Sequence, residues 1–217
     1  MSRNQDRLGG VQQPDTSPPP QQGGGGFSFV VPTEFVDLPS QGRFYPEGHP
    51  LHGQDSIEIK QMTAKEEDIL TSRTLLKKGV ALERLISSLI VDNTIDPRTL
   101  LIGDRNAIIV AARVSGYGSD YSTKVQCPAC DTKQTYTFNL YSAHVYHGED
   151  NENLRATINA NGTITCRLPK TQVEVVAKLL TGRDEKSITS IVKSDNQISK
   201  QLETLIVSIN GDSSREA

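Results

Sequence analysis

The sequence predicts an α+β protein, with a helical layer (about residues 63–116), then antiparallel β-hairpins that carry a zinc-ribbon-like CxxC knuckle, then C-terminal helices. Three observations predict this class. Apolar residues recur at helical spacing in the first part, residues alternate in the middle, and helical spacing returns near the end. Because helices and hairpins occupy separate stretches, the pattern is typical of α+β folds and not of alternating α/β folds.

The first 26 residues are rich in Gln, Pro and Gly and contain a Pro triplet and a run of four Gly. Such a composition buries too little apolar surface to offset the entropy lost on ordering. We therefore expect residues 1–26 to be a disordered tail. It would serve as a tether, would order on a partner, or would have no role.

Residues 27–62 are predicted to be an extended segment with an apolar loop. Residues 27–31 and 56–61 favour strands, and between them runs the irregular stretch FVDLPSQGRFYPEGHPL. A loop with this much apolar surface must pack against something. Either it wraps on its own domain, which is the favoured interpretation, or it forms a partner interface through Phe35, Leu38, Phe44 and Tyr45.

Residues 63–118 are predicted to be the helical core. Thr63 and Glu66 form a capping box that starts one helix, with a break expected near Ser72. An amphipathic helix follows. Asp104 is then expected to cap a helix that is buried on more than one face, and Gly116 to close it in the left-handed conformation.

Residues 119–180 are predicted to be a β-hairpin region. Two alternating stretches flank Cys127-Pro128-Ala129-Cys130, and a second hairpin is indicated by Asn161-Gly162. Residues 181–217 are predicted to be a C-terminal helical segment, because apolar residues from Ile188 to Ile209 lie at helical spacing.

Zinc is the best chemical candidate. Cys127 and Cys130, followed by His144 and His147, supply two ligand pairs whose spacings let tight turns aim both side chains at one point. Cys166 is an alternative ligand. Zinc would link the hairpin to the loop after it. The competing interpretation is a hairpin turn with reduced thiols and two solvent-exposed histidines.

Other classes have little support. The net charge of −3 gives no electrostatic reason to expect nucleic acid, and no apolar run is long enough to span a membrane. No phosphate-binding loop or nucleophile elbow is present, so we expect neither an enzyme nor a small-molecule substrate. Arg105 and Arg113, which flank the buried helix, either pair with Asp104 or Asp120, which is the favoured interpretation, or face a partner.

Several segments carry a resemblance to a known family. In order along the chain they are FVDLPSQGRFYPEGHPL, MTAKEEDIL, LLIGDRNAIIVAARVSGYGSDY, the CPAC knuckle with the following FNL, and VSINGD. From about Phe35 onward the chain resembles the baseplate hub proteins of T-even-like contractile-tailed bacteriophages. The resemblance implies a structural or assembly role in the virion tail baseplate, assembled in the host cytoplasm. It also implies contacts with other hub proteins and no catalysis.

Two functions of different classes are therefore carried forward. The first is a structural or assembly component of a baseplate hub. The second is a zinc-ribbon-type nucleic-acid-binding or regulatory module, which would need a basic face with exposed aromatic residues near the knuckle. Lys124, Lys133, Tyr121 and Tyr136 are available there, balanced by Asp120 and Asp131.

Overall fold

The structure is a computed structural model that describes residues 31–143, 145, 156–191 and 197–214. Two strands come first, β1 (Thr33–Asp37) and β2 (Ser56–Lys60), and they pair antiparallel. Four helices follow: α1 (Ala64–Thr71), α2 (Arg73–Lys77), α3 (Ala81–Leu89) and α4 (Ile102–Tyr117). The predicted tail lies outside the described residues, and so does most of the strand predicted at 27–31.

The helix signals near the start of this layer are confirmed. The carboxylate of Glu66 accepts a hydrogen bond from the Thr63 N–H at 3.0 Å, as a capping box requires. It also accepts one from the Ser88 hydroxyl at 2.6 Å, which ties α1 to α3. Burial alone would raise the pKa of Glu66, but the hydrogen bonds from Ser88 and Thr63 lower it. The predicted break is present, because Ser72 ends α1 and its side chain accepts from the Leu75 N–H at the start of α2.

The hydrophobic core lies among β1, β2, α3, α4 and the loop between the two strands. Leu85, Ile86 and Leu89 contribute the buried face of α3, and Ile57 and Ile59 that of β2. In α4, by contrast, only one line of residues is fully buried, at successive turns: Asp104, Ile108 and Ala112. Val110 is exposed. The expectation that α4 is buried on more than one face is therefore too strong.

The ends of α4 differ from the prediction. The residue before its first turn is Leu101, and Asp104 lies within the helix and makes no capping bond. At the other end Gly118, and not Gly116, has a positive φ, of 82°. Gly116 remains helical and lies against Met62. Two nearby glycines make the closing position ambiguous in the sequence, and only the backbone distinguishes them.

The β-rich part contains two separate sheets. Strands β3 (Asp120–Gln126) and β4 (Lys133–Asn139) form the predicted hairpin around the CPAC turn. Strands β5 (Ala156–Ile158), β6 (Ile164–Arg167), β7 (Glu174–Ala177) and β8 (Ile206–Ile209) form an antiparallel sheet in that order. The Asn161-Gly162 turn joins β5 to β6, as predicted. The α+β class is confirmed.

The C-terminal segment is not wholly helical. Helix α5 (Gly182–Ile191) is followed by α6 (Gln197–Leu205), after which the chain becomes β8 and pairs with β7. The helical prediction was wrong for Ile206–Ile209. This stretch is rich in β-branched residues, and β7 offers it an unpaired edge, so tertiary pairing outweighs the helical spacing.

Two contacts fix the β-rich part on the helical layer. The Ile102 N–H donates to the Leu180 carbonyl, and the Gly182 N–H donates to the Leu100 carbonyl, both at 3.0 Å. At the other contact, Gly162 at the hairpin tip lies so close to Phe44 that an added Cβ would be 2.2 Å from the Phe44 carbonyl oxygen. The hairpin tip therefore packs directly against the loop between β1 and β2.

Candidate interaction surface

A buried carboxylate holds the loop between β1 and β2 (residues 38–55) on its own domain. Asp104 has no exposed surface, and it accepts three hydrogen bonds. The donors are the Ser40 N–H at 2.9 Å, the Ser40 hydroxyl at 2.6 Å and the Tyr45 hydroxyl at 2.7 Å. A carboxylate bonded in this way is satisfied within the protein, so Asp104 acts as an anchor for the loop.

Tyr45 is central to the same network. Its hydroxyl also accepts the Leu101 N–H at 3.1 Å, at the start of α4. Burial raises the pKa of Tyr45 well above its usual range, and the nearby Asp104 carboxylate raises it further. The phenol therefore stays protonated and donates to Asp104. The ring of His49 stacks on Tyr45, with centroids 4.4 Å apart.

These contacts restrict the partner interface that the sequence suggested. Leu38 is 0% and Tyr45 is 1% exposed, so in this conformation neither offers surface to a partner. Phe44 is partly buried against the core. Their wrapping on the parent domain follows from the Asp104 anchor, which lies more than fifty residues away in sequence. Phe35 is different, because 72% of its side chain is exposed, and its role at an interface stays a prediction.

The β3–β4 hairpin has two chemically different faces. Side chains alternate along strands, and residues paired across an antiparallel ladder share a face. The register pairs Tyr121 with Phe138 and Thr123 with Tyr136. One face, which we call the aromatic face, therefore carries only uncharged residues: Tyr121, Thr123, Val125, Gln134, Tyr136 and Phe138.

The aromatic face is largely open. Between 44% and 52% of Tyr121, Tyr136 and Phe138 is exposed. Tyr136 and Phe138 contact each other edge to face, with centroids 4.6 Å apart, and about half of each side chain stays accessible. A two-stranded hairpin is marginally stable without a packed face. An apolar covering layer would therefore stabilise it.

Arg113 fixes the base of this hairpin. Its guanidinium donates to the Gly118 carbonyl at 2.8 Å and to the Asp120 carbonyl at 3.3 Å, and it lies over the Tyr117 ring. Arg105 instead pairs with Glu185 on α5. The expected pairing with the Asp104 and Asp120 carboxylates was wrong, because Asp104 is occupied by loop donors.

The CPAC turn places two thiols together at the tip of the hairpin. The Cys127 N–H donates to the Thr132 carbonyl at 3.0 Å, and the Asp131 N–H donates to the Cys127 carbonyl at 2.9 Å. Cys130 Sγ lies 3.3 Å from Thr132 Oγ1. Hydrogen bonds with the side chain and the backbone of Thr132, and then one with the Cys127 thiol, lower the pKa of the Cys130 thiol. An exposed thiol with a lowered pKa is suited to binding a soft metal.

The remaining predicted ligands are not brought to this turn. His144 and His147 lie outside the described residues. Cys166 lies on β6, in the other sheet. Within the described ranges, no three His, Cys, Asp or Glu side chains are grouped closely enough to hold a metal ion. Zinc binding stays a prediction.

The same register bears on the nucleic-acid alternative. Lys124 and Lys133 occupy the face opposite the aromatic face, which we call the polar face and which also carries Thr135 and Thr137, whereas Tyr121 and Tyr136 occupy the aromatic face. Binding to single strands needs cations beside the stacking rings, so that one strand contacts both. The hairpin separates the two groups, which disfavours that mode of binding.

A surface groove of about 510 Å³ lies beside α2, α3 and the start of α5. Leu76 and Leu82 supply apolar surface there. Arg105 and Glu185 both line the groove and are paired with each other. The presence of these two charged residues beside the groove is therefore explained by the ion pair that they form with each other.

Comparison with known proteins identifies the family of the chain. The T4 bacteriophage base plate protein family matches residues 32–216. The chain belongs to that family. No curated protein and no solved structure matches it. Membership identifies the chain as a phage tail baseplate protein, and the family suggests a structural, non-enzymatic role.

The structure adds two findings to the family assignment. First, none of the helices in the described ranges has the length and apolar character needed to cross a membrane. Second, the aromatic face is a stronger interface candidate than three of the four loop residues chosen from sequence. Alternation of Tyr136 and Phe138 with Thr135 and Thr137 is visible in the sequence and could have indicated it.

Proposed function

We propose that this protein is a subunit or assembly factor of the central hub of a phage tail baseplate. It acts through contacts with other hub proteins and catalyses no reaction. Family membership and the resemblance of the LPSQGRFYP and GDRNAIIVAARVSGYG segments to hub proteins support this proposal. The observation that carries the mode of action is the open aromatic face of the β3–β4 hairpin.

The aromatic face suits a permanent protein interface for three physical reasons. Its rings combine a large apolar area with few rotatable bonds, so that little entropy is lost on binding. No charge needs to be desolvated, since all six residues of the face are uncharged. The hairpin also gains a second packed layer when it is covered, which adds to its own stability.

A matched pair of variants on one strand tests this proposal. Tyr136→Ser with Phe138→Ser removes rings from the aromatic face, and Thr135→Ser with Thr137→Ser changes the polar face of the same strand to the same residue. The second variant keeps the hydroxyl that pairs Thr137 with Ser122 at 2.7 Å. We expect the first variant to lose co-purification with baseplate proteins and the second to retain it.

Two further readouts make the experiment decisive. The far-ultraviolet circular dichroism of both variants should match the parent, because the helical layer does not depend on this face. Fractionated tail sub-assemblies should contain the parent protein in central hub intermediates. Equal retention of both variants would contradict the role of the aromatic face, and a protein found only in peripheral sub-assemblies would contradict the hub assignment.

A further inference from the structure

Among the residues that the structure describes, strand β1 has one hydrogen-bonded edge and one open edge. Two backbone bonds fix which groups face β2: the Gln61 N–H donates to the Pro32 carbonyl at 2.9 Å, and the Leu38 N–H donates to the Asp55 carbonyl at 2.7 Å. Bonded pairs alternate along an antiparallel ladder. The even-numbered residues of β1 therefore bond to β2, and the odd-numbered residues turn their backbone groups away from it.

The outward groups belong to Thr33, Phe35 and Asp37. In the described part of the chain, the N–H and carbonyl groups of these three residues form no backbone hydrogen bond. The far side of β2 is partly covered, because Ile59 bridges to Ile90. The open edge of this small sheet is thus on β1, with the exposed Phe35 at its centre. Unpaired edges of this kind can accept a strand from another chain.

A second observation concerns Glu34, which lies on the same strand. The Oε1 atom of Glu34 is buried and has no hydrogen-bond donor, and among the described residues it is the only buried side-chain oxygen or nitrogen in that state. A buried acceptor without a donor costs free energy. A donor brought in next to β1 would remove that cost.

The charge of β1 restricts what can pair with it. The strand reads TEFVD, with two carboxylates and no cation. Pairing with a second copy of β1 would bring four carboxylates into one ribbon, and acidic edge residues disfavour such self-association. A strand that carries Lys or Arg would instead meet opposite charge and would supply the donor that Glu34 lacks.

We propose that the open edge of β1 accepts an extended, basic segment of a partner protein as an added strand. Side chains alternate, so a residue opposite Phe35 lies on the exposed face and its neighbours lie on the face of Glu34. The segment therefore has an apolar residue that covers Phe35, flanked by Lys or Arg that reaches Glu34. This site is separate from the aromatic face and does not rest on the hub assignment.

Short blocked peptides test the site with the full chain. One alternates Lys and Val, and its control alternates Glu and Val at the same length. We expect the Lys peptide to bind at least about tenfold more tightly than the Glu peptide, because only the first meets opposite charge. Amide hydrogen exchange measured by NMR should slow at Thr33, Phe35 and Asp37 when the Lys peptide is bound.

Three variants test separately the outward N–H of residue 35, the side chain of Phe35 and the charge of Glu34. Phe35→Pro removes an outward N–H and leaves the β1–β2 bonds intact, since proline is tolerated at such edge positions. Phe35→Pro should weaken binding of the Lys peptide by about tenfold or more. Phe35→Leu keeps the backbone N–H and should not weaken it. Glu34→Lys should reverse the preference between the two peptides.

The outcomes that overturn the proposal are equally specific. They are no binding of the Lys peptide at millimolar concentration, equal binding of both peptides, or protection of amides elsewhere in the chain. Self-association of the full chain that Phe35→Pro abolishes would also overturn it, because the occupant would then be a second copy.

Discussion

The two parts of this protein, residues 31–117 and residues 119–214, differ in how much they bury. Where the structure describes the chain, the buried hydrophobic side chains of the core all lie in the first part, between Val36 and Ala112. In the described residues of the second part, only Gly162 is buried. The first part has a core of its own, and the second consists of a two-stranded hairpin, a small sheet and two helices with half-exposed side chains.

This difference indicates where each part obtains its stability. Burial of apolar area is the main source of folding free energy, so the first part supplies most of the stability of the fold. The second part has less buried area and more accessible backbone hydrogen bonds, which is typical of regions that open locally. Its stability should therefore depend on the first part, on partner proteins and on any bound metal.

The largest expected effect concerns the anchor of the first part. Asp104→Ala should lower the free energy of unfolding by about 3 kcal/mol, because the Ser40 and Tyr45 donors would be buried without an acceptor. Asp120→Ala, at an exposed carboxylate, should change it by less than about 0.5 kcal/mol. Urea unfolding measures both. Similar values for the two variants would show that Asp104 is not the anchor.

The next effect concerns the contact between the two parts. Gly162→Ala and Gly211→Ala both place a side chain at a positive φ, of 79° and 82°. An added Cβ meets the Phe44 carbonyl oxygen only at Gly162, and it meets nothing at Gly211. Gly162→Ala should therefore cost about 1 to 3 kcal/mol more than Gly211→Ala in urea unfolding. Equal costs would mean that the hairpin tip does not press on the loop.

The zinc prediction concerns the second part alone. If Cys127 and Cys130 bind zinc, a chelator should speed hydrogen exchange in residues 119–168 before it affects residues 63–116. Protein purified without added metal should contain zinc by elemental analysis, and Cys127→Ser should abolish it. His144→Ala and Cys166→Ser would then identify the remaining ligands. Freely titrating thiols without zinc would leave CPAC as a turn.

The smallest effect is a pH dependence in the first part. Burial lowers the pKa of His49 from its ordinary value of 6.5. Its Nδ1 atom accepts the Leu51 N–H at 3.1 Å, and its other nitrogen lies 2.9 Å from the Thr99 hydroxyl. Both contacts fit the neutral ring.

The sign of this effect follows from the lowered pKa. The unfolded chain takes up a proton on His49 before the folded chain does. The stabilisation is therefore complete above the ordinary pKa and is lost as the pH falls toward the folded value. Between about pH 7.5 and 5.5, the parent should lose more stability than His49→Gln, which has no ring to protonate. Parallel pH profiles in thermal unfolding would contradict this.

Much of the secondary structure could be predicted because its signals are local. The capping box joins Thr63 to Glu66, three positions further along the chain. The Asn161-Gly162 turn is closed by hydrogen bonds among neighbouring residues, such as the one from the Thr163 N–H to Asn161 Oδ1. The β3–β4 hairpin follows from alternation on both sides of a short turn. In each case the atoms that decide the structure are within a few residues of one another, so the sequence itself contains the interaction.

The same reasoning fails where the deciding partner is distant in sequence. Asp104 looked like a helix cap, but its donors Ser40 and Tyr45 precede it by 64 and 59 residues. Residues Ile206–Ile209 had helical spacing, but the open edge of β7 makes them a strand. For Leu38 and Tyr45 the sequence favoured packing on their own domain but left a partner interface open. Only the packed structure brings these groups together, because the free energy of a buried hydrogen bond or strand pair exists only once the chain has folded.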